Sequence, residues 1–177
     1  NTLILEKGTF CLRNYGYDSY NNCIQWNVKI EPGATLQEAR IGSEYHNGYT
    51  VTNAGTISGG TFYGKVICEA GAVISGGTFK GAARVDAAGG EVTIEDGTFE
   101  EVSYTSGMTV KAAGTLTING GTFKGKRICS VDIDNCEKIV INGGSFESSL
   151  TDLKRTTETI INGGLFNDKL YVAGDKC

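Results

Sequence analysis

The chain contains little of several residue types that would assign it to familiar functional classes. Its 177 residues include only one proline, one methionine, one tryptophan and one histidine. A single proline excludes a proline-rich linker and a collagen-like chain. His46 is the only histidine and no Cys-x2-Cys spacing occurs, so the usual ligands of a zinc site are missing. We therefore predict no metal site and no cofactor from the composition.

Long apolar runs and concentrated positive charge are also missing. No stretch approaches the roughly 20 apolar residues that a membrane-spanning helix requires, and residues 1–5 lack the basic start of a signal peptide. The formal net charge is −4, and there is no run of lysine and arginine, whereas a phosphate backbone is bound by a concentrated basic surface. The sequence predicts neither a membrane span nor a nucleic-acid partner.

Glycine, by contrast, is abundant, and many of the 26 glycines belong to a repeat. The pattern Ile-x-Gly-Gly-Thr-Phe, with small departures, occupies residues 57–62, 74–79, 94–99, 118–123, 141–146 and 161–166. We align degenerate seventh and eighth copies at residues 5–10 and 36–41. The final phenylalanine recurs after 17, 20, 24, 23 and 20 residues. A constant unit joined by connections of varying length is typical of a solenoid.

The repeat unit alternates polar and apolar residues, which predicts half-buried β-strands. In residues 115–118, Thr-Leu-Thr-Ile, every second side chain is apolar. The glycine pair permits a sharp corner, after which threonine points outward and phenylalanine inward. A third short strand follows, as in residues 65–68. We predict an all-β, single-stranded parallel β-helix of about eight coils, each with roughly 20 residues and three short strands.

We predict that the whole chain, 1–177, is one domain, with regular coils over 51–177 and an irregular cap or insertion over 11–50. The residue after the isoleucine is asparagine in the last three copies, at Asn119, Asn142 and Asn162. Stacked amides can satisfy one another's hydrogen bonds, so these three residues predict an asparagine ladder. We interpret the ladder and the glycines as structural rather than catalytic.

The Gly-Gly-Thr-Phe unit, together with residues 31–36 (EPGATL), resembles the right-handed parallel β-helix repeats of the pectin-lyase-like superfamily. It is most similar to the glycine-rich repeats of bacterial cell-surface proteins. The resemblance covers nearly the whole chain and implies a right-handed β-helix outside the cell. The superfamily includes lyases, hydrolases, phage tailspikes and non-catalytic adhesive modules, so the fold alone does not select an activity.

An enzyme of this superfamily would place acidic and basic residues from adjacent coils on one face. The resemblance implies a basic residue that removes a proton, with calcium held by carboxylates, in a lyase, and paired aspartates in a hydrolase. The residues that follow their phenylalanines at suitable distances are Arg84, Asp86, Lys111, Asp132 and Asp134. The alternative, which we favour, is that they are ordinary solvated residues of strand edges.

Six cysteines are an even number, compatible with an oxidising compartment, and they allow 15 complete pairings. Cys11 and Cys23 bracket an irregular segment and are candidates for a disulfide that closes a short loop. Cys129 and Cys136 are a second candidate pair within one coil, on the condition that Cys129 leaves the core column. Cys68 and Cys129 lie three coils apart, too far to bridge, and are interpreted as buried thiols.

The irregular segment between residues 11 and 50 contains the tryptophan and five of the eight tyrosines. One interpretation is a cap over the open end of the solenoid. The other is a sugar-binding patch, because aromatic faces stack on sugar rings. The aromatic residues concerned are Tyr15, Tyr17, Tyr20, Trp26, Tyr45 and Tyr49.

Outward threonines also suggest ice binding, which uses flat arrays of this residue on β-solenoids. The two predicted columns are Thr61, Thr78, Thr98 and Thr122, and Thr56, Val73, Thr93, Thr117 and Val140. Charged residues interrupt the neighbouring positions, and threonine also suits any β-strand.

We predict an extracellular or cell-surface module with a structural or adhesive role, bound to a surface glycan or polysaccharide, to other surface proteins or to copies of itself. A polysaccharide lyase or glycoside hydrolase is the alternative, with calcium only in the lyase case, and an ice-binding protein is the second alternative.

Overall fold

A computed structural model describes the chain as a stack of short β-strands. It describes residues 1–12, 23–24, 26–43, 48–80, 83–84, 90–100, 108–110, 114–124, 127–128, 136–147, 150–153, 156–167 and 169–172. Within these ranges every regular element is a strand and none is a helix. The same residues accordingly include no helix long and apolar enough to cross a membrane.

The strands are short, and most have two to five residues. In chain order they are β1 (Thr2–Leu5), β2 (Gly8–Leu12), β3 (Asn27–Ile30), β4 (Ala34–Ile41), β5 (Thr50–Asn53), β6 (Thr56–Ile57), β7 (Thr61–Phe62), β8 (Lys65–Cys68), β9 (Val73–Ile74), β10 (Thr78–Lys80), β11 (Ala83–Arg84), β12 (Glu91–Ile94), β13 (Thr98–Glu100), β14 (Met108–Val110), β15 (Gly114–Ile118), β16 (Thr122–Lys124), β17 (Arg127–Ile128), β18 (Cys136–Ile141), β19 (Ser145–Phe146), β20 (Leu150–Leu153), β21 (Thr156–Ile161), β22 (Leu165–Phe166) and β23 (Lys169–Val172).

Every pairing between these strands is parallel, and the strands inside each group pair with strands from the coils before and after them. The pairings form four groups: sheet A (β1, β3, β5, β8, β11), sheet B (β2, β4, β6, β9, β12, β15, β18, β21), sheet C (β4, β7, β10, β13, β16, β19, β22) and sheet D (β14, β17, β20, β23). The long strand β4 takes part in both sheet B and sheet C. The protein is therefore a parallel β-solenoid, as the repeat predicted.

The alternation of polar and apolar side chains explains how a strand of sheet B covers the core on one face and meets solvent on the other. In β15, Leu116 and Ile118 are buried, whereas Thr115 and Thr117 are half-buried on the outer side. Successive side chains of a strand point to opposite faces, so a Thr-Leu-Thr-Ile segment buries its aliphatic residues and leaves its hydroxyls outside. The period-two pattern of the sequence is confirmed in this strand.

The glycine pair after each isoleucine turns the chain from sheet B into sheet C. At Gly120 a Cβ atom would lie only 2.5 Å from the carbonyl oxygen of Glu95 in the preceding coil. Gly121 has a φ of +99°, a conformation that side chains with a Cβ rarely adopt. At this corner one glycine therefore gives space and the other gives the backbone conformation.

The phenylalanine that follows each corner fills the interior. Phe62, Phe79, Phe99, Phe123 and Phe146 are fully buried, and Phe166 packs against the same core. Neighbouring rings stack with centroids 4.6–5.0 Å apart and interplanar angles of 4–11°. This distance is the spacing between adjacent β-strands, so the five stacked pairs mark five regular turns of the solenoid.

The strand register tests the two degenerate copies of the repeat. Leu36 pairs with Ile57 and Ile41 pairs with Phe62, which confirms the alignment of residues 36–41. The alignment of residues 5–10 is wrong, because Phe10 pairs with Leu36 and so lies in the isoleucine column. In this copy the glycine, Gly8, begins a strand of sheet B. In the other copies the glycines precede a strand of sheet C, so Phe10 lies one corner earlier than their phenylalanines.

Part of the irregular segment 11–50 adds to the end of the solenoid. Ile24 forms a parallel bridge with Ile41, its backbone N–H donates to Arg40 O at 2.8 Å, and its carbonyl accepts from Gly42 N at 3.1 Å. Residues 27–30 and 34–41 are regular strands. The predicted irregular segment is therefore shorter than 11–50, and within it Ile24 supplies a rung over β4.

Candidate functional site on the corner surface

Three columns of outward side chains lie around the corner between sheets B and C, and we call them the corner surface. The sheet B column is Thr9, Thr35, Thr56, Val73, Thr93, Thr117, Val140 and Ile160. The amide column is Ser58, Ser75, Glu95, Asn119, Asn142 and Asn162. The sheet C column is Thr61, Thr78, Thr98, Thr122, Ser145 and Leu165. Both threonine columns predicted from the sequence are thus in register.

The amide column contains the predicted asparagine ladder. Asn162 Nδ2 donates to Asn142 Oδ1 at 2.7 Å, and Asn142 Nδ2 donates to Asn119 Oδ1 at 2.8 Å. Asn119 Nδ2 then donates to Glu95 Oε2 at 2.9 Å. Glu95 has only acceptor atoms when ionised, so it ends the ladder on the N-terminal side.

Among the described residues, the ladder bonds use at most half of the hydrogen-bonding capacity of each amide. A primary amide has two N–H donors and two acceptor lone pairs. Asn142 uses one donor toward Asn119 and one lone pair toward Asn162, and its side chain is exposed. The column therefore presents further donors and acceptors to solvent once per coil, at a spacing of about 4.8 Å.

Charged and aromatic side chains border the corner surface beyond the sheet C column. Tyr63, Lys80, Glu100 and Lys124 each follow the buried phenylalanine of their coil. Lys80 Nζ lies 4.0 Å from Glu100 Oε2 and 5.7 Å from the centre of the Tyr63 ring, over which Arg40 also lies at 5.4 Å. Opposite charges in successive coils avoid the repulsion that identical stacked residues would produce.

Acidic residues on the sheet B side are engaged in contacts between coils. Glu91 Oε1 accepts from Thr117 Oγ1 at 3.1 Å, and Glu158 Oε2 lies 3.0 Å from Lys138 Nζ. Glu91 and Glu95 lie on the same face of one coil. Both carboxylates accept from residues of the next coil, Thr117 and Asn119, which lie two positions apart in the chain.

Compared with protein-family models, with curated proteins and with solved structures, the chain matches none of them. The corner surface must therefore be interpreted from its own chemistry.

Of the five residues predicted for an enzyme, one lies in the described part of the chain. Arg84 lies in β11, where it pairs with Ile67 in the register of sheet A. Asp86, Lys111, Asp132 and Asp134 lie outside the described residues. Among the residues that are described, no group of three or more His, Cys, Asp or Glu side chains could hold a metal ion.

Two of the six predicted aromatic residues of the sugar-binding patch can be placed. Trp26 is 52% exposed immediately before β3, so its ring is accessible to a ligand. Tyr49 is half-buried and packs against the hydrophobic core, so it contributes to the interior. The others, Tyr15, Tyr17, Tyr20 and Tyr45, lie outside the described residues.

The structure does not contain the disulfide between Cys11 and Cys23 that the sequence suggested. Cys11 is exposed, and its thiol lies 3.6 Å from Gln37 Oε1. Cys23 is buried, so one sulfur is outside and the other inside. For the second pair, Cys136 lies in β18 and Cys129 falls outside the described residues.

The prediction of a buried thiol is confirmed for Cys68. Its side chain has no exposed surface, and burial raises the pKa of the thiol to about 12. A weaker opposing effect comes from Asn53, whose Nδ2 donates to the sulfur at 3.8 Å. Cys68 is therefore a neutral core residue and not a nucleophile.

Sequence reasoning missed two features of the site. The first is Glu95 as the end of the ladder, which its position after Ile94 in the repeat could have revealed. The second is the column that runs from Tyr63 to Lys124. It could not be found from the repeat, because the residues after each phenylalanine differ from coil to coil.

Proposed function

We propose that this protein is a non-catalytic β-helix module of the cell exterior, with a structural or adhesive role, whose corner surface binds a hydroxyl-rich polymer such as a polysaccharide. The observation that carries the proposal is the corner surface itself, in which hydroxyl and amide groups recur once per coil and converge on no single point.

We also infer a right-handed helix of about eight coils with three strands in each. Sheet B contains eight strands in series, and sheets A and C supply further strands for most coils. Parallel strands joined by crossover connections are almost always right-handed. A helix of many stacked coils presents a periodic surface, which suits an elongated ligand better than a small molecule.

The chemistry of the corner surface favours sugar hydroxyls over phosphates. Each asparagine of the ladder offers both a donor and an acceptor, and a hydroxyl group can bond to both. Glu95 adds negative charge to the same column, and the whole chain has a formal net charge of −4. A polyanion would be repelled by this charge, whereas a neutral polysaccharide would not.

Single contacts of this kind are weak, so repetition must supply the affinity. A hydrogen bond contributes about 0.5–1.5 kcal/mol net, and solvent-exposed ones less. A polymer that contacts several coils at once gains from each additional contact without a new association cost. The expected ligand is therefore a chain and not its monomer.

Cosedimentation with insoluble polysaccharides tests this proposal. We expect retention of the chain on at least one of the neutral polymers cellulose, chitin and xylan, weaker retention on anionic cross-linked polygalacturonate, and no reducing ends or unsaturated products released from any of them. If the chain bound none of these polysaccharides, the result would contradict the adhesive role. Release of products would instead establish the lyase or hydrolase alternative.

Matched double substitutions locate the binding surface. Removing two hydroxyls of the sheet C column with Thr98→Ala and Thr122→Ala should weaken retention about tenfold, because two contacts of about 0.5–1.5 kcal/mol are lost. The control removes two hydroxyls from β5 in sheet A, with Thr50→Ala and Thr52→Ala, and should bind as the parent does. Equal loss in both variants would show that the corner surface is not the site.

The sheet C column also supports ice binding as a second candidate. Thr61, Thr78, Thr98 and Thr122 are consecutive in register, and an unbroken row of threonines is the feature that ice binding requires. After Thr122 the column continues with Ser145 and Leu165, and the sheet B column contains Val73 and Val140. Inhibition of ice recrystallisation by the parent chain, lost in the Thr98→Ala and Thr122→Ala variant, would favour this candidate.

A further inference from the structure

All hydrogen bonds of the asparagine ladder run in the same direction. In each bond the Nδ2 group of one coil donates to a side-chain oxygen of the coil before it. The bonds join Asn162 to Asn142, Asn142 to Asn119 and Asn119 to Glu95, at 2.7–2.9 Å. An amide that donates toward one neighbour through its nitrogen turns its oxygen toward the other neighbour. The orientation of one amide therefore determines the orientation of the next.

Glu95 is the member of the amide column that accepts hydrogen bonds and, when ionised, donates none. The other members are serines and asparagines, whose hydroxyl and amide groups both donate and accept. Asn119 must therefore turn its nitrogen toward Glu95, and Asn142 and Asn162 must follow. A reversed ladder would place Asn119 Oδ1 against the carboxylate, and two acceptors without a proton between them form no hydrogen bond.

The main chain holds Glu95 in position for this contact. Asn119 N donates to Ile94 O at 2.8 Å, so the backbones of the two coils are stacked directly beside the carboxylate. The adjacent acid of the same coil, Asp96, uses its Oδ1 to accept from Gly97 N at 2.8 Å. The carboxylate that contacts the ladder is therefore that of Glu95 and not that of Asp96.

The direction of the ladder determines which groups a ligand meets. When the oxygen and nitrogen of a planar amide lie along the stack, the second N–H and the second lone pair both point away from the backbone. A reversal would exchange these two groups in every coil. Each outward donor would then move by roughly half of the spacing between coils, whereas the threonine hydroxyls of the neighbouring columns would stay in place.

We propose that Glu95 is a positioning residue that fixes the direction of the ladder and thereby selects the polymers that the corner surface binds. The inference rests on the proposed binding of a polysaccharide. A sugar hydroxyl rotates to meet either a donor or an acceptor, whereas ring and glycosidic oxygens only accept. The ladder then favours polymers whose ring and glycosidic oxygens meet its outward N–H groups, and Glu95 determines where those groups lie.

Couplings across hydrogen bonds, measured by NMR on the full chain, report the direction of the ladder without any ligand. In the parent chain we expect a coupling between Nδ2 of Asn142 and Cγ of Asn119. Glu95→Gln keeps the shape of the side chain and adds a donor, so couplings in both directions should appear. Glu95→Lys offers donors alone, so the coupling should reverse and join Nδ2 of Asn119 to Cγ of Asn142.

A second coupling and a matched variant control this experiment. The coupling between the main-chain nitrogen of Asn119 and the carbonyl carbon of Ile94 should persist in every variant, because it reports that the coils remain stacked. Glu69→Lys makes the same charge change at an exposed residue directly after β8, and it should keep the parent direction. Glu95→Lys with the parent direction, or with a coupling in neither direction, would overturn the proposal. If the lysine variant loses the main-chain coupling, Glu95→Gln decides, and the parent direction alone would overturn it.

Cosedimentation then tests the selection of ligands. On the neutral polysaccharide that retains the parent chain best, Glu95→Lys should be retained several-fold more weakly, and Glu69→Lys as the parent is. A reversed ladder with unchanged retention would show that the direction does not select the ligand. A parent chain that binds no polysaccharide would contradict the adhesive role and with it the selection of ligands, while the couplings would still decide whether Glu95 sets the direction.

Discussion

Asn53 is a fully buried amide whose hydrogen bonds connect two coils. Its Oδ1 accepts from Gly55 N at 3.0 Å, while its Nδ2 lies 3.5 Å from Val73 O and 3.8 Å from Cys68 Sγ. A buried polar group is tolerated only where such partners exist. The thiol of Cys68 is one of them, and its protonation is consequently coupled to folding.

The elevated pKa of Cys68 predicts a loss of stability at high pH. The folded thiol keeps its proton up to about pH 12, whereas the unfolded thiol loses it near the ordinary value of 9.0. Between these values the unfolded state binds fewer protons, so the free energy of unfolding falls as pH rises. From pH 8 to 10 it should fall by about 1 kcal/mol more in the parent chain than in Cys68→Ala.

Urea unfolding at both pH values measures this difference. The comparison of slopes with pH cancels the constant cost of the cavity that Cys68→Ala creates. Cys11→Ala serves as the control, because Cys11 is exposed, and it should keep the pH dependence of the parent. Identical pH dependence in the parent and Cys68→Ala would show that the thiol does not contribute.

The glycine corner is the element that makes one strand group turn into the next. The first glycine of each pair faces a carbonyl oxygen of the preceding coil, as Gly143 faces Asn119 O, where a Cβ would come within 2.5 Å. The coil with Asp96 has no glycine at this position, and Asp96 Oδ1 accepts instead from Gly97 N at 2.8 Å. Close stacking of the backbones at the corner therefore accounts for the most regular part of the repeat.

Substitution of Gly120 tests this close approach. Gly120→Ala should reduce the free energy of unfolding by about 1–3 kcal/mol, because the added methyl group forces the corner away from Glu95 O. Gly48→Ala is the control, since a Cβ there meets nothing within 4 Å, and should change stability by less than about 0.5 kcal/mol. Equal effects of the two variants in urea unfolding would contradict the steric explanation.

Much of each coil could be predicted at the scale of elements. The alternation in residues 115–118, the glycine corner and the inward phenylalanine all follow from local sequence, and so does the asparagine ladder. The position of Phe10 could not, because it depends on which strand of the next coil β2 joins. Local sequence specifies the unit, whereas register between coils depends on the connections, which vary in length.

The whole molecule is stabilised by contacts between neighbouring coils, so the position of a residue along the stack determines what its loss costs. Phe99 is buried and has a ring on each side, at 4.7 and 4.8 Å. Phe166 stacks on Phe146 at 4.6 Å and is only half-buried. The same residue type thus has very different surroundings in the middle and at the end.

Phenylalanine truncation measures this positional effect. Phe99→Ala should reduce the free energy of unfolding by about 3–5 kcal/mol, and Phe166→Ala by less than half of that value, because less surface is lost from the core. Urea unfolding of each variant and of the parent chain measures both losses. Equal losses would show that the terminal coil is as tightly packed as the interior.

The sequence by itself determined the kind of protein this is. The repeated Ile-x-Gly-Gly-Thr-Phe unit specifies a parallel β-solenoid because one short unit contains the strand, the corner and the core residue. Identical units can bury their apolar side chains only by stacking. The asparagine ladder follows from the same stacking, since equivalent residues in successive coils must be neighbours.

Only the tertiary structure decided what lies at the two ends and along the outer columns. The pairing of Phe10 with Leu36 and of Ile24 with Ile41 arises from residues far apart in the chain. Ile161 is 37% exposed, although it begins the same Ile-Asn-Gly-Gly segment as the fully buried Ile141. Burial and register are properties of neighbours in space, and a repeat identifies those neighbours only where every coil is alike.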